Sequence, residues 1–330
     1  METQGGGPMI THQSGDARAG IGAVSLPISV VIPVHNRARL LEQALKSVEA
    51  QRPRGPAQVI VVDDASSDGS REVAERWGAD VIVHPHNRGA PAAYQTGLEA
   101  VREQWVALLD SDDEWLPHHL DALWALAPGN VLVACSCLEV GVDGDGYGYH
   151  GLIGDRPVML DSPAGILYPE NPIPSSGAMF SRDAALAVGG FREMLCEDLD
   201  LWCRLMARGP ATLSPHVGIL YRTHAGQISA DWAAMHAAHL GIIRELARGS
   251  RGSHGDLFER RSGVSAWDRF RVRRRARNPG ARRDLVAELL RHPRRALGVI
   301  DVLGHRLATS RRASHLVREG PLSSPPRSPR

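Results

Sequence analysis

Apolar positions along this chain switch between two periods. Ile28-Ser29-Val30-Val31-Ile32-Pro33 and Val59-Ile60-Val61-Val62 are apolar nearly throughout, as strands covered on both faces are. Between them Leu40, Leu41, Ala44, Leu45 and Val48 recur at helical spacing. A short helix is predicted through Glu72 to Trp77, then a strand over Asp80-Val81-Ile82-Val83-His84. A helix follows from about Pro91, in its first turn, to Val101. A fourth strand, Trp105-Val106-Ala107-Leu108-Leu109, ends in acids. Four strands alternating with three helices predict an α/β fold with a doubly wound, mostly parallel sheet. Ligands of such sheets sit at the carboxyl ends of the strands. Three of those ends carry polar clusters: His35-Asn36-Arg37, Asp63-Asp64 and Asp110-Ser111-Asp112-Asp113.

Beyond Trp115 the pattern changes. A strand from Val131 that runs as far as Val142, the turn Asp143-Gly144-Asp145-Gly146 and Tyr147-Gly148-Tyr149 read as a β-hairpin. Asp143 and Asp145 have too few following ligands for a calcium loop. Ser176 to Phe180 reads as a strand, Arg182–Val188 as a helix, and Gly189-Gly190-Phe191 as a turn. Glu197 to Met206 reads as a helix with Leu199, Trp202, Cys203 and Met206 inward, and Ala233 to Leu246 as another. Two further helices are expected over Arg282–Leu290 and Arg295–Leu307, before a Pro/Ser-rich, disordered end from Pro321 to Arg330.

Charge changes this picture more than composition does. With 330 residues, 43% hydrophobic and 23% charged, the chain is an ordinary globular one of one or two domains. Residues 269–330 hold 17 arginines against 4 acids, a net +13 on a chain whose total is +1, which leaves −12 for residues 1–268. The basic tail is either an arm packed on the acidic body or an attachment to an anionic membrane surface. No run of about 18 apolar residues predicts a membrane span. Met1 to Val24 is Gly-rich and polar without the apolar core of a signal peptide, so it reads as a disordered leader. The expected location is the cytoplasm, at the inner face of the membrane if the tail binds lipid. Cys135, Cys137, Cys196 and Cys203 lack paired metal-ligand spacing and read as buried thiols.

The acid run after Leu109 is the sharpest chemical feature. Three acids within four residues at a strand end repel one another unless something neutralises them. Asp-x-Asp places two carboxylates on one side of an extended backbone, where a divalent cation can meet both. A solvated turn is the plainer alternative, and Asp113 also suits a helix N-cap. Likewise Glu197, Asp198 and Asp200 are the acids that a helix dipole favours in a first turn.

In this order the residues resemble family 2 glycosyltransferases, which have the GT-A nucleotide-sugar fold. The resemblance rests on Ser29-Val30-Val31-Ile32-Pro33-Val34-His35-Asn36-Arg37, on Ile60 through Ser70, and on Asn87-Arg88-Gly89-Ala90-Pro91-Ala92-Ala93. It continues in Leu108 through Trp115, Gly189-Gly190-Phe191, Cys196 through Leu205, Tyr221-Arg222-Thr223-His224 and Ile228-Ser229. These pieces are common singly and specific together, and they cover about residues 28–230. Tyr94-Gln95 stands where the family more often has Arg-Asn, and His35 where it often has an aromatic ring.

The resemblance implies a metal-dependent, inverting transfer of a sugar from a nucleotide-sugar donor, a UDP- or dTDP-sugar foremost, to an unidentified hydroxyl acceptor. That acceptor is a glycan, a lipid-linked sugar, a natural product or a peptide. The cofactor would be Mn²⁺ or Mg²⁺, with Asp112 as ligand and Asp110 and His224 completing the shell or, for Asp110, reaching the ribose. One of Asp63 and Asp64 would read the base, while Pro33, His35, Arg37 and Arg88 would line the nucleotide. Arg222 and His224 would close over the diphosphate. Asp198, beside Glu197, would be the general base. The implied division is a leader over 1–25, a GT-A-like catalytic domain over 26–248 and a basic helical extension over 249–330. The segment 140–175, which departs from the regular pattern, is expected to face the acceptor.

Other classes fit less well. A phosphatase using Asp110 as nucleophile and Asp112 as acid/base would carry the pair after its first strand, not its fourth. A nucleotidyltransferase would have a Gly-rich basic loop where Pro33-Val34-His35-Asn36 stands. A nucleic-acid binder would rest on the arginine tail alone and leave the acidic strand ends at Asp63-Asp64 and Asp110–Asp113 repelling phosphate.

Overall fold

The computed structural model describes residues 9–11, 25–51, 54–141, 147–167, 171–224, 226–228, 231–249 and 280–319. Along the first half the order is β1 (Met9–Thr11), β2 (Leu26–Val34), α1 (Ala38–Glu49), β3 (Pro56–Asp63), α2 (Ser70–Arg76), β4 (Asp80–Val83), α3 (Ala90–Ala100) and β5 (Trp105–Leu108). The second half continues with β6 (Glu114–Trp115), α4 (His119–Leu126), β7 (Leu132–Gly141), β8 (Tyr147–His150), β9 (Val158–Leu160), α5 (Ala164–Leu167), β10 (Ala178–Ser181), α6 (Arg182–Ala187), α7 (Glu197–Leu205) and β11 (Ala211–Thr223). Three helices close the described chain: α8 (Trp232–Gly249), α9 (Ala281–Arg291) and α10 (Arg294–Glu319).

One sheet runs through the molecule in the order β1-β4-β3-β2-β5-β10-β7-β11-β6, with β8 beside β7 and β9 beside β11. β4, β3, β2 and β5 are parallel, as the alternating pattern predicts. The chain winds outward from β2 to β4, then crosses back through α3 to lay β5 on the other side of β2. That reversal is a topological switch point, and it opens a crevice between diverging loops. β10 then inserts antiparallel to both β5 and β7, so the second half is mixed rather than purely parallel.

The sheet is buried on both faces because its strands alternate between two cores. Val31, Ile60 and Val62 pack with Tyr94, Leu98, Leu199 and Trp202 on one side. Val30, Ile32 and Val61 pack with Leu41, Leu45, Val73 and Leu123 on the other. α3 lies so close to β2 that a Cβ at Gly97 would overlap the Val31 side chain, so this position admits only hydrogen. The four cysteines are buried as thiols rather than disulfides.

Several expectations are corrected in detail. Met9–Thr11, inside the stretch expected to be a disordered leader, pairs antiparallel with Val81–Val83. The edge of β4 offers unpaired backbone groups, and a short apolar segment satisfies them. The rest of that leader, the Asp143–Gly146 turn, residues 251–279 and the Pro/Ser-rich end lie outside the described residues. The strands of the expected hairpin do pair, Cys137–Val140 against Tyr147–His150. α10 runs well past Leu307 to Glu319, since no proline follows Pro293 until Pro321. Replacing Gly97 by valine should lower stability to urea by about 1–3 kcal/mol through overpacking against Val31. An unchanged unfolding midpoint would show that the α3–β2 approach is not tight.

Candidate active site

The carboxyl ends of β2, β3 and β5 converge on one cavity of about 1040 Å³, which the start of α7 and the end of β11 also line. Pro33, His35 and Arg37 reach it from β2, Asp64 from β3, Asp110 and Asp112 from β5, Glu197 and Asp198 from α7, and His224 from β11. The loops that present these groups turn sharply. Asn36, Ala65 and Cys196 take positive φ (54°, 60° and 61°), a conformation that side chains with a Cβ adopt at a cost.

In the acid run each carboxylate has its own partners. The Asp112 Oδ2 lies 2.6 Å from Arg37 Nη1 and 2.9 Å from His224 Nε2. The Tyr94 hydroxyl donates to Asp110 Oδ1. The Asp110 N–H donates to Ser176 Oγ at 2.9 Å, and that hydroxyl donates in turn to Asp113 Oδ2 at 2.6 Å. Asp113 also accepts the Arg222 N–H at 3.0 Å. It is 1% exposed and does not cap a helix, since His118 holds the N-cap position of α4. Burial and the charges of Asp110 and Asp112 push its carboxyl well above the usual range.

Two sequence expectations are corrected here. Arg222 does not reach the cavity. Side chains alternate along β11, so Tyr221 and Thr223 face the cavity while Arg222 turns behind the acid run. There its guanidinium donates to the Asp112 carbonyl at 2.8 Å and pairs with Glu114. Arg88 likewise contributes its backbone, not its side chain. Its N–H donates to Asp64 Oδ1 at 2.9 Å, while its guanidinium sits 3.5 Å from Glu193.

The Asp63-Asp64 pair divides its work. Asp63 Oδ1 accepts the Ser66 N–H at 2.8 Å and shapes the turn. Asp64 lines the cavity and accepts the Gly89 N–H at 2.7 Å as well as the Arg88 N–H. His84 Nδ1 lies 2.6 Å from Asp64 Oδ1, and its Nε2 lies 2.9 Å from Thr96 Oγ1. A carboxylate offers about four acceptor positions, so Asp64 keeps one for a ligand. His35 stands at the mouth with Nδ1 2.7 Å from the Asp64 carbonyl oxygen.

In the first turn of α7, Asp198 accepts the Ser175 hydroxyl at 2.9 Å and the Leu199 N–H at 2.7 Å. Burial raises its carboxyl above the ordinary value. Glu197 is pushed up to about 8 by burial and then by the Asp198 charge. Asp110 is pushed to about 7 by burial and by Asp112, with Asp198 adding to the rise. Asp110 and the Glu197–Asp198 pair, which line the same cavity, thus influence one another. Asp200, by contrast, turns away to pair with Arg204 at 2.6 Å and Arg192 at 3.2 Å.

Tyr94, Ser175, Ser176 and His84 are the site residues that sequence reasoning missed. Tyr94 was visible as a departure from the family pattern. It is buried, stacked on Phe191 at 5.1 Å between ring centroids. Gln95 accepts the Phe191 N–H at 2.8 Å, and Arg204 holds the carbonyls of Val188 and Gly190 at 2.8 Å each. The Gly189-Gly190-Phe191 turn thus positions the ring whose hydroxyl meets Asp110.

Among the described residues no three acid, imidazole or thiol groups converge as a ready-made metal cluster. The donor set at Asp112, Asp110 and His224 is hard oxygen plus imidazole, which suits Mg²⁺ or Mn²⁺. Burial first and then the Asp112 charge raise the Asp110 carboxyl, and a bound cation would act against both. The residues present therefore fit a divalent cation.

This architecture, a parallel sheet with an acid crevice at its switch point, is a GT-A-like nucleotide-sugar fold. Residues 29–188 match the family model described as glycosyl transferase family 2. The pre-mycofactocin glycosyltransferase of Mycobacterium tuberculosis is 30% identical over 240 residues, 67% of this chain and 47% of the relative. The amylovoran biosynthesis glycosyltransferase AmsE of Erwinia amylovora is 28% identical over 60% of this chain and 76% of its own length. The chain spans about half the length of the mycobacterial relative. Among solved structures, S. aureus TarS 1-349 in complex with UDP-GlcNAc aligns with a TM-score of 0.56 at 16% identity, over 77% of this chain and 74% of its own. The mannosyltransferase PcManGT from Pyrobaculum calidifontis, in complex with GDP-Man and Mn²⁺, aligns with 0.55 at 18% identity, over 87% of each chain. The chain belongs to glycosyltransferase family 2.

Tyr94→Phe removes the one side-chain donor seen on Asp110. Stability to urea should fall by about 1.5–3 kcal/mol, the worth of a hydrogen bond to a charged group. A variant as stable as the parent would mean that the hydroxyl does not hold Asp110.

Proposed function

We propose that this protein is a metal-dependent, inverting glycosyltransferase that moves a sugar from a UDP- or dTDP-sugar to a hydroxyl acceptor. The observation that supports the reading is that Glu197 and Asp198 line the same cavity as Asp110 and Asp112 and influence the Asp110 carboxyl electrostatically. Inverting displacement needs a base within reach of the attacking hydroxyl in the same site as the leaving-group contacts.

In this reading Pro33, His35 and Arg37 take the nucleoside, and the remaining acceptor position of Asp64 takes the imide N–H of uracil or thymine. A divalent cation held by Asp112, with Asp110 and His224, would supply Lewis-acid stabilisation of the departing diphosphate. Arg37 is a second cation for that charge once Asp112 is otherwise engaged. Asp198 accepts the proton of the attacking hydroxyl. Ser175 and the Leu199 N–H fix one geometry of its carboxylate, and burial keeps it basic. Arg222 supports the acid run from behind. The acceptor enters past the wall that includes His150, Asn171 and Ile173, within the segment 140–175. We assign 26–248 to the catalytic domain. For the basic extension over 249–330 the partner is an anionic membrane surface.

Incubating the protein with UDP-, dTDP- and GDP-sugars and Mn²⁺ should release nucleotide from one uridine or thymidine donor. Release from none of them would remove the reading. Asp198→Asn should keep donor binding and lose turnover by roughly 10²- to 10⁴-fold. The pH profile carries a sign. A base works only when deprotonated, so turnover holds above the raised Asp198 value and is lost as pH falls through it. Glu197, pushed up to about 8, is protonated where that limb falls, so Glu197→Gln should leave the limb in place. A limb that moves to lower pH would show that Glu197 is charged beside the base.

A further inference from the structure

The outer face of the C-terminal helices carries apolar side chains that nothing described covers. On α10, Leu297, Ile300, Leu303 and Leu307 follow one another at spacings of three, three and four, so they form one stripe along the helix. All four are exposed, Ile300 and Leu307 each at 63%. Val299 and Ala313, on the opposite side of α10, are buried. On α9, Val286 and Leu290 are exposed one turn apart, Leu290 at 78%. Exposed arginines border both stretches: Arg282, Arg283 and Arg291 on α9, Arg294 and Arg311 at the ends of the α10 stripe.

We infer that this face lies on an anionic phospholipid bilayer, with the aliphatic side chains among the acyl-chain boundary and the arginines at the headgroups. An aliphatic stripe bordered by arginine is the composition that interfacial helices use. Charge fixes the orientation. The body of the chain, residues 1–268, carries −12 and is repelled by anionic lipid, whereas residues 269–330 carry +13. A second copy of the same face would bring two arginine rims together across a symmetry axis. Single-stranded nucleic acid would call for aromatic stacking surfaces, and this face presents aliphatic ones.

The docked unit is fastened to the cavity. α10 packs on β8, and the Arg312 guanidinium lies 6.0 Å from the centroid of the Tyr149 ring. The next residue, His150, lines the cavity. A bilayer under α9 and α10 therefore holds the acceptor side of the cavity close to the membrane, where a lipid-borne hydroxyl compound would be within reach. The inference rests on the membrane partner proposed above for the extension, but its test does not depend on catalysis.

The test is flotation of the full chain with vesicles of phosphatidylcholine, alone and with about one-third phosphatidylglycerol. The protein should float with the anionic vesicles and stay down with the neutral ones. The double variant Ile300→Glu/Leu307→Glu should lose roughly tenfold or more of that binding, since it replaces two aliphatic groups that the bilayer would bury with charge that anionic lipid repels. Arg282→Glu/Arg283→Glu should weaken binding and flatten its salt dependence. Nucleotide release by both variants in solution should match the parent, which shows that they fold and separates a failed membrane face from a failed enzyme. Equal flotation of parent and Ile300→Glu/Leu307→Glu would overturn the inference. So would a parent dimer in solution that this variant dissolves, because the face would then be an interface between copies.

Discussion

Keeping like charges together out of water is the constraint around which this chain is arranged. Asp64, Asp112 and Asp113 are buried, and Asp110, Glu197 and Asp198 stand partly buried around the same cavity. Each ion withdrawn from water costs several kcal/mol unless neighbours replace the lost hydration. Much of the polar structure here consists of those replacements. The N–H groups of Arg88 and Gly89 serve Asp64, Arg37 serves Asp112, Tyr94 serves Asp110, Ser176 and the Arg222 N–H serve Asp113, and Ser175 serves Asp198. Even so, Asp110, Asp113, Glu197 and Asp198 keep raised proton affinities. Burial is the largest cause at all four, and neighbouring acids add to it at Asp110, Asp113 and Glu197.

Much of this was legible in the residues. Runs such as Val59–Val62 can only be strands covered on both faces, and helical spacing at Leu41, Ala44, Leu45 and Val48 marks the buried side of α1. The parallel order of β4, β3, β2 and β5 follows from the alternation of such segments. The clustering of polar groups at three strand ends located the cavity. What the pattern did not hold was direction across the sheet. The antiparallel insertion of β10 between β5 and β7 depends on long-range pairing, to which a five-residue run is blind. Met9–Thr11 was hidden for the same reason, because an edge strand is made by the partner edge more than by its own composition.

The site residues divide along similar lines. Those at strand ends, Asp64, Asp110 and Asp112, and Asp198 in the first turn of α7, line the cavity. Arg222 misses it by a single step of strand alternation, and Arg88 spends its backbone rather than its charge. Ser175 and Ser176 were read, if at all, as strand residues. Their hydroxyls acquire meaning only when the 3₁₀ turn before β10 sets them against Asp198 and Asp113. Tyr94 replaces the residue usual in the family, and its place against Phe191 and Asp110 requires the Gly189-Gly190 turn and Arg204 behind it. A local pattern records which side chains are present; their pairing across 60 to 110 residues of chain is a property of the folded sheet.

The central claim is that the acid crevice accepts a nucleoside diphosphate only together with positive charge that the chain itself does not supply. Calorimetric titration of UDP into the protein measures this without an acceptor or a transferable sugar. With Mn²⁺ present the affinity should exceed that in EDTA by roughly tenfold or more, as one neutralised contact worth about 1.4 kcal/mol requires, and Asp112→Asn should remove the difference. Equal affinity in Mn²⁺ and in EDTA would contradict the account.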